Sequence, residues 1–236
     1  MACAVRQIKK AKINHGWTRT RMNLRFTIYE PNLYPERNQN CKTPMESDVQ
    51  NAKRQLRKII LAALKAMPPD KRAADSAGIR ALLSQQPFWN AAGAILFFAP
   101  LPGEVDVWPL LAEALAAGKI AALPRFDSEN NDYLACHVQN PQTEVGPGQF
   151  GIREPKTGCP EIPLERLGLI LVPGVAFDLR GCRLGRGRGF YDRLLAGFHG
   201  IKCGVAFDEQ MVEEVPTETL DVRMDFVLTP TQCVEV

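Results

Sequence analysis

Apolar positions recur at helical spacing through the first patterned part of the chain. In residues 47–67 they fall three and four apart, at Leu56, Ile59, Ile60, Ala63 and Leu64. This spacing predicts an amphipathic helix that is capped by a serine at its start. Two prolines at 68–69 end that helix and begin a second one over 69–86. A third helix is predicted over 107–117, because Gly118 is a typical helix stop.

Short apolar runs separate the helical segments. They predict buried strands at residues 93–100, 120–126, 133–138, 167–172, 202–207 and 225–229. A further amphipathic run over 190–198 predicts a fourth helix. Strands that alternate with helices along a chain form a mainly parallel sheet with helices on both faces. The sequence therefore predicts an α/β fold.

The first 46 residues have a different character. They lack periodicity and mix Asn, Arg, Thr and Pro. Of the 29 basic and 26 acidic side chains of the chain, nine and two lie in residues 1–45, which leaves 20 basic and 24 acidic ones for the rest. A globally basic nucleic-acid binder is therefore not indicated. We expect residues 1–46 to be a disordered basic extension and residues 47–236 to form the domain. A translated upstream region with a start near Met45 and an RNA-contacting tail are the alternatives.

Cysteine, histidine and apolar content exclude several classes of protein. The seven cysteines form no C-x-x-C pair and are odd in number, so neither a disulfide framework nor a zinc site is predicted. The three histidines share no spacing. No apolar run approaches the roughly 20 residues that span a membrane, and the N-terminus has no apolar signal region. We expect a cytoplasmic protein without a membrane or nucleic-acid partner.

The segment 178–193 is the most unusual part of the chain. Gly185, Gly187 and Gly189 alternate there with arginines, between a predicted strand and the predicted fourth helix. Alternating glycines let backbone N–H groups turn towards an anion, a helix N-terminus favours negative charge, and guanidinium groups make charge-assisted contacts with phosphate. The spacing fits neither a Walker loop nor a dinucleotide-binding fingerprint. It predicts a phosphate cradle, with a Gly/Arg-rich surface turn as the alternative.

Four other features accompany the cradle. Lys53 and Arg57 are four residues apart on a predicted helix, so both cations could reach one polyphosphate, or both could belong to a solvated basic face. Glu104 follows a strand end, where ligands of open α/β sheets collect, although it could equally cap the next helix. Phe150 stands in a loop rich in Gly and Pro. Asp225 begins the last predicted strand.

Together these segments resemble the 5-formyltetrahydrofolate cyclo-ligases, also called methenyltetrahydrofolate synthetases. The resemblance covers about residues 49–230 in the right order, and its hallmark is Cys-Arg-Leu-Gly-Arg-Gly-Arg-Gly-Phe-Tyr-Asp at 182–192. Residues 173–178 and 205–210 are also similar to the family. The resemblance implies a three-layer α/β sandwich related to the ribose-phosphate isomerase and CoA-transferase group. It also implies ATP- and Mg²⁺-dependent conversion of 5-formyltetrahydrofolate to 5,10-methenyltetrahydrofolate, with release of ADP and phosphate, by a monomer.

The resemblance further implies roles for individual residues. Those that would bind ATP are Lys53, Arg54, Gln55, Leu56, Arg57, Arg183, Leu184, Gly185, Arg186, Gly187, Arg188, Gly189, Phe190 and Tyr191. Those that would contact the folate are Ala99, Glu104, Phe150, Arg186 and Tyr191. The residues expected to act in catalysis are Arg186, Arg188 and Tyr191, and the Mg²⁺ ligands would be Asp192 and Asp225. Phe190 replaces a commoner tyrosine, so a hydroxyl contact is lost there while stacking is kept.

Two rival interpretations stay open at this point. The chain could be a CoA-transferase or sugar-phosphate isomerase relative that shares the fold without using ATP. It could also be a non-catalytic nucleotide sensor or RNA-associated protein that uses its basic extension.

Overall fold

The computed structural model describes residues 46–236, apart from the side chains of residues 46, 47 and 150. The predicted disordered extension lies outside the described residues, so it stays a prediction.

The helices match the apolar periodicity of the sequence closely. They are α1 (Glu46–Ala66), α2 (Pro69–Ser84), α3 (Pro87–Ala91), α4 (Trp108–Ala116), α5 (Pro141–Glu144) and α6 (Phe190–Ala196). Four of them, α2 to α5, carry a proline in their first two positions. Proline costs least there, because the first N–H groups of a helix have no partner inside it. The four predicted helices are confirmed, and the short helices α3 and α5 are additional.

The strands, in chain order, are β1 (Ala94–Leu96), β2 (Ile120–Asp127), β3 (Asp132–His137), β4 (Val145–Pro147), β5 (Arg153–Pro155), β6 (Leu169–Pro173), β7 (Ala176–Phe177), β8 (Arg183–Leu184), β9 (Ile201–Val205), β10 (Phe226–Leu228) and β11 (Cys233–Glu235). Seven of them form one sheet in the order β11-β10-β9-β6-β1-β2-β3, while β4-β5 and β7-β8 form two-stranded sheets. Single 3₁₀ turns occur at Gln149–Gly151, Leu164–Arg166 and Asp208–Gln210. The short strands β4, β5, β7, β8 and β11 were not predicted.

The five central strands of the large sheet are parallel, and only the edge strands β3 and β11 run antiparallel. Ile95 in β1 pairs with Ala121 on one side and with Leu169 on the other. Across the sheet the parallel strands lie in the order β2-β1-β6-β9-β10, whereas the chain forms β1 before β2, so the winding reverses between β1 and β6. Ligands of such sheets bind in the crevice outside the carboxyl ends of the strands at this reversal.

Both faces of the sheet are buried. Ile95 and Phe97 pack on the face that α1 to α4 cover, together with Leu64, Ile79, Leu83, Phe88, Leu110 and Leu111. Ala94 and Leu96 point to the opposite face, where they join Ile170, Val172, Leu194, Leu195 and Phe198. Successive strand residues alternate between the two cores, as the twofold period of a strand requires. The predicted mainly parallel α/β fold is confirmed. Within residues 46–236, no helix combines the length and apolarity that a bilayer crossing requires.

Candidate active site

A cavity of about 780 Å³ opens at the carboxyl ends of β1 and β6. Phe98 and Ala99, which follow β1, and Pro173 and Gly174, which end and follow β6, contribute to its walls. Its volume lies within the range of small-molecule sites, roughly 300–1,000 Å³. The cavity therefore sits where the topology predicts a ligand, and Ala99 lies in it as the sequence indicated.

The Gly/Arg segment forms one side of this cavity. It begins as β8, continues through Gly185–Gly189 and ends in α6, and every residue from Arg183 to Arg193 lines the cavity. Gly187 and Gly189 have φ angles of +97° and +69°, in the left-handed region that favours glycine. A Cβ at Gly185 would approach Arg183 Nη1 to 2.9 Å. The predicted order of strand, glycine loop and helix is thus found, with β6 as the predicted strand, although α6 spans only seven residues.

Two cations reach the cavity from α1. Lys53 has only 5% of its side chain exposed, and its Nζ lies 3.0 Å from Glu218 Oε2 and 2.6 Å from Asp221 Oδ2. Arg57 Nε donates to the carbonyl oxygen of Gly185 at 2.8 Å, which ties α1 to the glycine loop. Burial lowers the pKa of Arg57, and the Asp221 and Glu218 carboxylates oppose that effect. A solvated basic face is therefore the wrong interpretation of this pair.

The residues between these cations are turned away from the cavity. Arg54 and Gln55 are exposed, and Leu56 packs against the core. None of the three lines the cavity. Lys53 and Arg57, four apart, share a helix face, whereas Arg54 and Gln55 follow Lys53 by one and two positions and Leu56 directly precedes Arg57. The structure thus gives no support to ATP contacts from the side chains of Arg54, Gln55 and Leu56.

Arg183 and Asp192 form an ion pair in the wall. Arg183 Nη2 lies 2.8 Å from Asp192 Oδ1, and only 3% of the arginine side chain is exposed. Arg183 Nη1 donates to the carbonyl oxygen of Pro173 at 3.3 Å. Its guanidinium carbon lies 5.6 Å from the centre of the Tyr191 ring. These contacts fix the orientation of Asp192 and place Tyr191 beside a positive charge.

Glu104 joins the loop after β1 to the Gly/Arg segment. Its Oε1 accepts from Arg186 Nη2 at 2.7 Å and from Nε at 3.1 Å, while Oε2 accepts from the Leu101 N–H at 3.0 Å. The N–H of Trp108, at the start of α4, is bound instead by Asp106 Oδ1 at 3.1 Å. Glu104 is therefore a cavity residue, and the alternative that it caps the next helix is wrong.

Aromatic side chains form another part of the wall. The Tyr133 and Phe190 rings both line the cavity and meet edge to face, with centroids 5.1 Å apart. Phe126 contacts both of them, at 5.7 Å and 5.6 Å. Burial raises the pKa of Tyr191 well above its ordinary value, and the Glu104 carboxylate adds to the effect. Tyr191 therefore stays a neutral phenol at any physiological pH.

Of two further predicted residues, one lies outside the described side chains and the other is not brought into this cavity. Phe150 belongs to the turn Gln149–Gly151, and its side chain lies outside the described residues. Asp225 lies at the amino end of β10, where its Oδ2 accepts from the Lys202 N–H at 2.8 Å and pairs with Nζ at 2.9 Å. It does not line the cavity, which is at the carboxyl ends of the parallel strands. The expected convergence of Asp192 and Asp225 is therefore corrected: the two carboxylates belong to opposite ends of the sheet.

Comparison with known proteins now decides the family. The sequence model described as the 5-formyltetrahydrofolate cyclo-ligase family matches residues 49–230. The chain belongs to this family. A 5-formyltetrahydrofolate cyclo-ligase of Escherichia coli strain K12 is 38% identical over 148 residues, which are 60% of this chain and 80% of that protein. The enzyme of that name from Mycolicibacterium smegmatis is 33% identical over 189 residues, 76% of this chain and 94% of the relative. The NMR structure of Aquifex aeolicus 5,10-methenyltetrahydrofolate synthetase superposes with a TM-score of 0.70 at 36% identity, covering 78% of this chain and 92% of that one.

The predicted resemblance to the cyclo-ligase family is thus confirmed, and with it the class of enzyme: a ligase of folate one-carbon metabolism that binds ATP. The roles of individual residues are a separate question.

Several cavity residues of this cyclo-ligase family member escaped the sequence analysis. They are Gln50, Leu101, Pro124, Tyr133, Ile152, Arg193, Glu218, Leu220 and Asp221. Glu218 and Asp221 come from a segment without apolar periodicity between β9 and β10. The strand order could have pointed to them. A residue that directly precedes a parallel strand, as Asp225 does, lies at the amino end of the sheet, whereas ligands bind at the carboxyl ends of the strands. An acidic residue further upstream was therefore the better candidate for the cavity.

Proposed function

We propose that this chain uses ATP and Mg²⁺ to convert 5-formyltetrahydrofolate to 5,10-methenyltetrahydrofolate, with release of ADP and phosphate. One observation carries the proposal: a single cavity contains cations suited to a polyphosphate together with a carboxylate and aromatic rings suited to a pterin. Family membership supports the reaction. The CoA-transferase or isomerase alternative gives no reason for two basic residues of α1 to converge on an arginine-rich glycine loop.

The ATP phosphates would bind between α1 and the Gly/Arg segment. Lys53 and Arg57 approach from the helix, and the backbone of Gly185–Gly189 approaches from the loop. Arg186 and Arg188 line the same cavity. Guanidinium groups bind phosphate oxygens with charge-assisted hydrogen bonds, each worth about 1.5–3 kcal/mol. Such positioning and charge neutralisation is most of what phosphoryl transfer requires from a protein.

The folate would bind against Glu104 and the aromatic wall. Amino and ring N–H groups of the pterin are donors, and an ionised carboxylate such as Glu104 is the stronger kind of acceptor. Phe190 and Tyr133 offer ring surfaces for the flat heterocycle. Phe150 is proposed to stack on the pterin from its loop, where the neighbouring residue Ile152 lines the cavity.

The chemistry follows from the poor leaving ability of a formamide oxygen. The formyl oxygen attacks the γ-phosphorus of ATP, forming an O–P bond as the bond to ADP breaks. The neighbouring amine nitrogen then attacks the formyl carbon and loses its proton, and the C–O bond breaks to release phosphate. Arg186 and Arg188 would stabilise the charge on the transferred group. Tyr191, held neutral by burial, can donate a hydrogen bond to a developing oxyanion.

A magnesium ion suits the carboxylates that face the cavity. Residues 46–236 contain no cluster of three or more His, Cys, Asp or Glu that would hold a metal alone. Mg²⁺ does not need one, because it is usually held by one or two carboxylates together with substrate phosphates. Asp192 and Asp221 line the cavity and would provide them. When bound, the ion neutralises phosphate charge during transfer.

Four less specific expectations belong to the same proposal. They are the relation to the ribose-phosphate isomerase and CoA-transferase fold group, a monomeric state, a cytoplasmic location, and the boundary between an extension at 1–46 and a domain at 47–236. The mainly parallel sheet with buried faces is compatible with the first of these.

Growth of methenyltetrahydrofolate absorbance on mixing the protein with 5-formyltetrahydrofolate, ATP and Mg²⁺ tests the function. We expect product only when all three are present, with one ADP formed for each methenyltetrahydrofolate. Product without ATP consumption would instead identify a relative that shares only the fold. ATP binding without turnover would favour a nucleotide sensor.

A further inference from the structure

The Tyr133 ring lines the cavity, but its hydroxyl group has no role in the proposed reaction. It lies on the edge strand β3, with only 8% of the residue exposed, and its ring is held edge to face against Phe190 and Phe126. This packing fixes the ring in the cavity wall. A tyrosine in such a place presents an apolar body to its neighbours and a polar group at its tip.

The hydroxyl group of Tyr133 makes no hydrogen bond to any residue in 46–236. Its backbone belongs to the β2–β3 ladder, and its backbone N–H donates to Asp132 Oδ1 at 2.9 Å. Its phenolic oxygen is also absent from the buried polar atoms that lack a partner. The oxygen is therefore open to solvent although the ring is buried, and the space beside this residue is the cavity. A hydroxyl that has no partner among the described residues, on a ring fixed by packing, is a hydrogen-bonding group available to a ligand.

Charges around Tyr133 place it on the folate side. Tyr133, Tyr191 and Glu104 all line the cavity, and the Glu104 carboxylate adds to the raised pKa of Tyr191. Burial, followed by the Glu154 carboxylate, raises the pKa of Tyr133 to about 12, against the opposing effect of Arg188. The phenol thus keeps its proton and is a donor at neutral pH.

We infer that the Tyr133 hydroxyl donates a hydrogen bond to an acceptor atom of the pterin ring and supplies the hydroxyl that Phe190 cannot. The inference rests on the proposed function, because it requires a folate in this cavity. Tyr133 then contributes to the affinity for the folate, while the affinity for ATP does not depend on it.

Tyr133→Phe tests this with the loss of one oxygen atom. We expect KM for 5-formyltetrahydrofolate to rise roughly three- to tenfold, the range of one neutral hydrogen bond, and KM for ATP to stay unchanged. The melting temperature should not fall, because no hydrogen bond within the described protein is lost. A purely structural tyrosine would give the opposite pattern, with a lower melting temperature and an unchanged KM, and that result would overturn the inference.

Moving the hydroxyl to the adjacent ring provides a second test. The double variant Tyr133→Phe/Phe190→Tyr carries the same atoms with the hydroxyl transferred between rings 5.1 Å apart. We expect it to recover at least half of the lost folate affinity. If it recovers none, the hydroxyls do not serve the same substrate group.

A fragment of the substrate distinguishes the pterin from the tail. Inhibition by p-aminobenzoylglutamate, which lacks the pterin, should be equal in wild type and Tyr133→Phe, and weaker inhibition of the variant would refute the assignment to the pterin. Direct titration of 5-formyltetrahydrofolate separates this inference from the function itself. If the wild type binds the folate but does not turn it over, the proposed reaction fails, while the comparison of binding with Tyr133→Phe still decides the role of the hydroxyl.

Discussion

Lys53 is the cation whose removal tests the phosphate side of the cavity most directly. Its buried ammonium lies within 3.0 Å of both Glu218 and Asp221. The substitution Lys53→Met keeps most of the apolar stem and removes the charge. It therefore leaves two carboxylates without their cation, facing the place where ATP phosphates are proposed to bind.

The size of the effect follows from two contributions. The lost charge-assisted hydrogen bond to phosphate contributes about 1.5–3 kcal/mol. Repulsion between the uncompensated carboxylates and the polyphosphate adds about 1 kcal/mol, the Coulomb energy of unit charges roughly 8 Å apart at an effective dielectric constant of about 40. Together these weaken ATP binding by about 2.5–4 kcal/mol, or roughly 70- to 900-fold.

Titration calorimetry with ATP measures this for a matched set of variants. Lys58→Met, on the exposed side of α1, is the control and should bind ATP as the wild type does. The double variant Lys53→Met/Glu218→Gln removes one of the two uncompensated carboxylates and should regain about half of the repulsion energy, or roughly twofold in affinity. ATP affinity of Lys53→Met within threefold of wild type would refute the phosphate role. A double variant that binds no better than the single one would refute the charge argument. Melting curves confirm that each variant is folded.

Other changes separate the remaining parts of the site. Arg57→Ala should raise KM for ATP roughly ten- to hundredfold by losing a phosphate contact, and an unchanged KM would contradict that role. Glu104→Gln should raise KM for 5-formyltetrahydrofolate and leave KM for ATP unchanged. The ion pair that Glu104 makes with Arg186 is partly exposed and weak, so its loss should not disturb the loop. An equal rise in both KM values would indicate a general defect. Asp192→Asn should raise the Mg²⁺ concentration for half-maximal rate, and full activity at low Mg²⁺ would exclude the ligand. Deleting residues 1–44 should keep activity within about twofold and leave the melting temperature unchanged, because a segment without apolar periodicity is expected to contribute no core burial; a cooperative loss of stability would show that the segment packs.

The sequence predicted the long elements and the cradle because both have strong local signals. Apolar periodicity extends over 21 residues in α1, and glycines at 187 and 189 are required by left-handed backbone angles. It was likewise predictable that Lys53 and Arg57 lie on the same face of α1, because residues four apart on a helix are neighbours. Strands of two or three residues, such as β7, β8 and β11, carry too few positions for a pattern and are formed by pairing with distant partners.

Contacts across the cavity could not be predicted from local sequence patterns, for a different reason. Tyr133 reaches the site because β3 pairs antiparallel with β2, which turns an edge strand towards α6. Asp221 reaches Lys53 across 168 positions of sequence. Asp221 and Asp225 are four positions apart in the sequence, yet of these two aspartates only Asp221 lines the cavity. The direction of the adjoining parallel strand decides between them, and this is a property of the sheet rather than of either residue.

The charges of the cavity explain why ATP and Mg²⁺ are expected to bind together. Three cavity cations are each paired with carboxylates before any ligand arrives. The pairs are Lys53 with Glu218 and Asp221, Arg183 with Asp192, and Arg186 with Glu104. A polyphosphate that takes a cation from its carboxylate leaves that carboxylate without a partner, at a cost that offsets part of the new contact. A divalent cation bound to the phosphates would restore the balance at Asp192 and Asp221, so MgATP should bind more tightly than ATP alone.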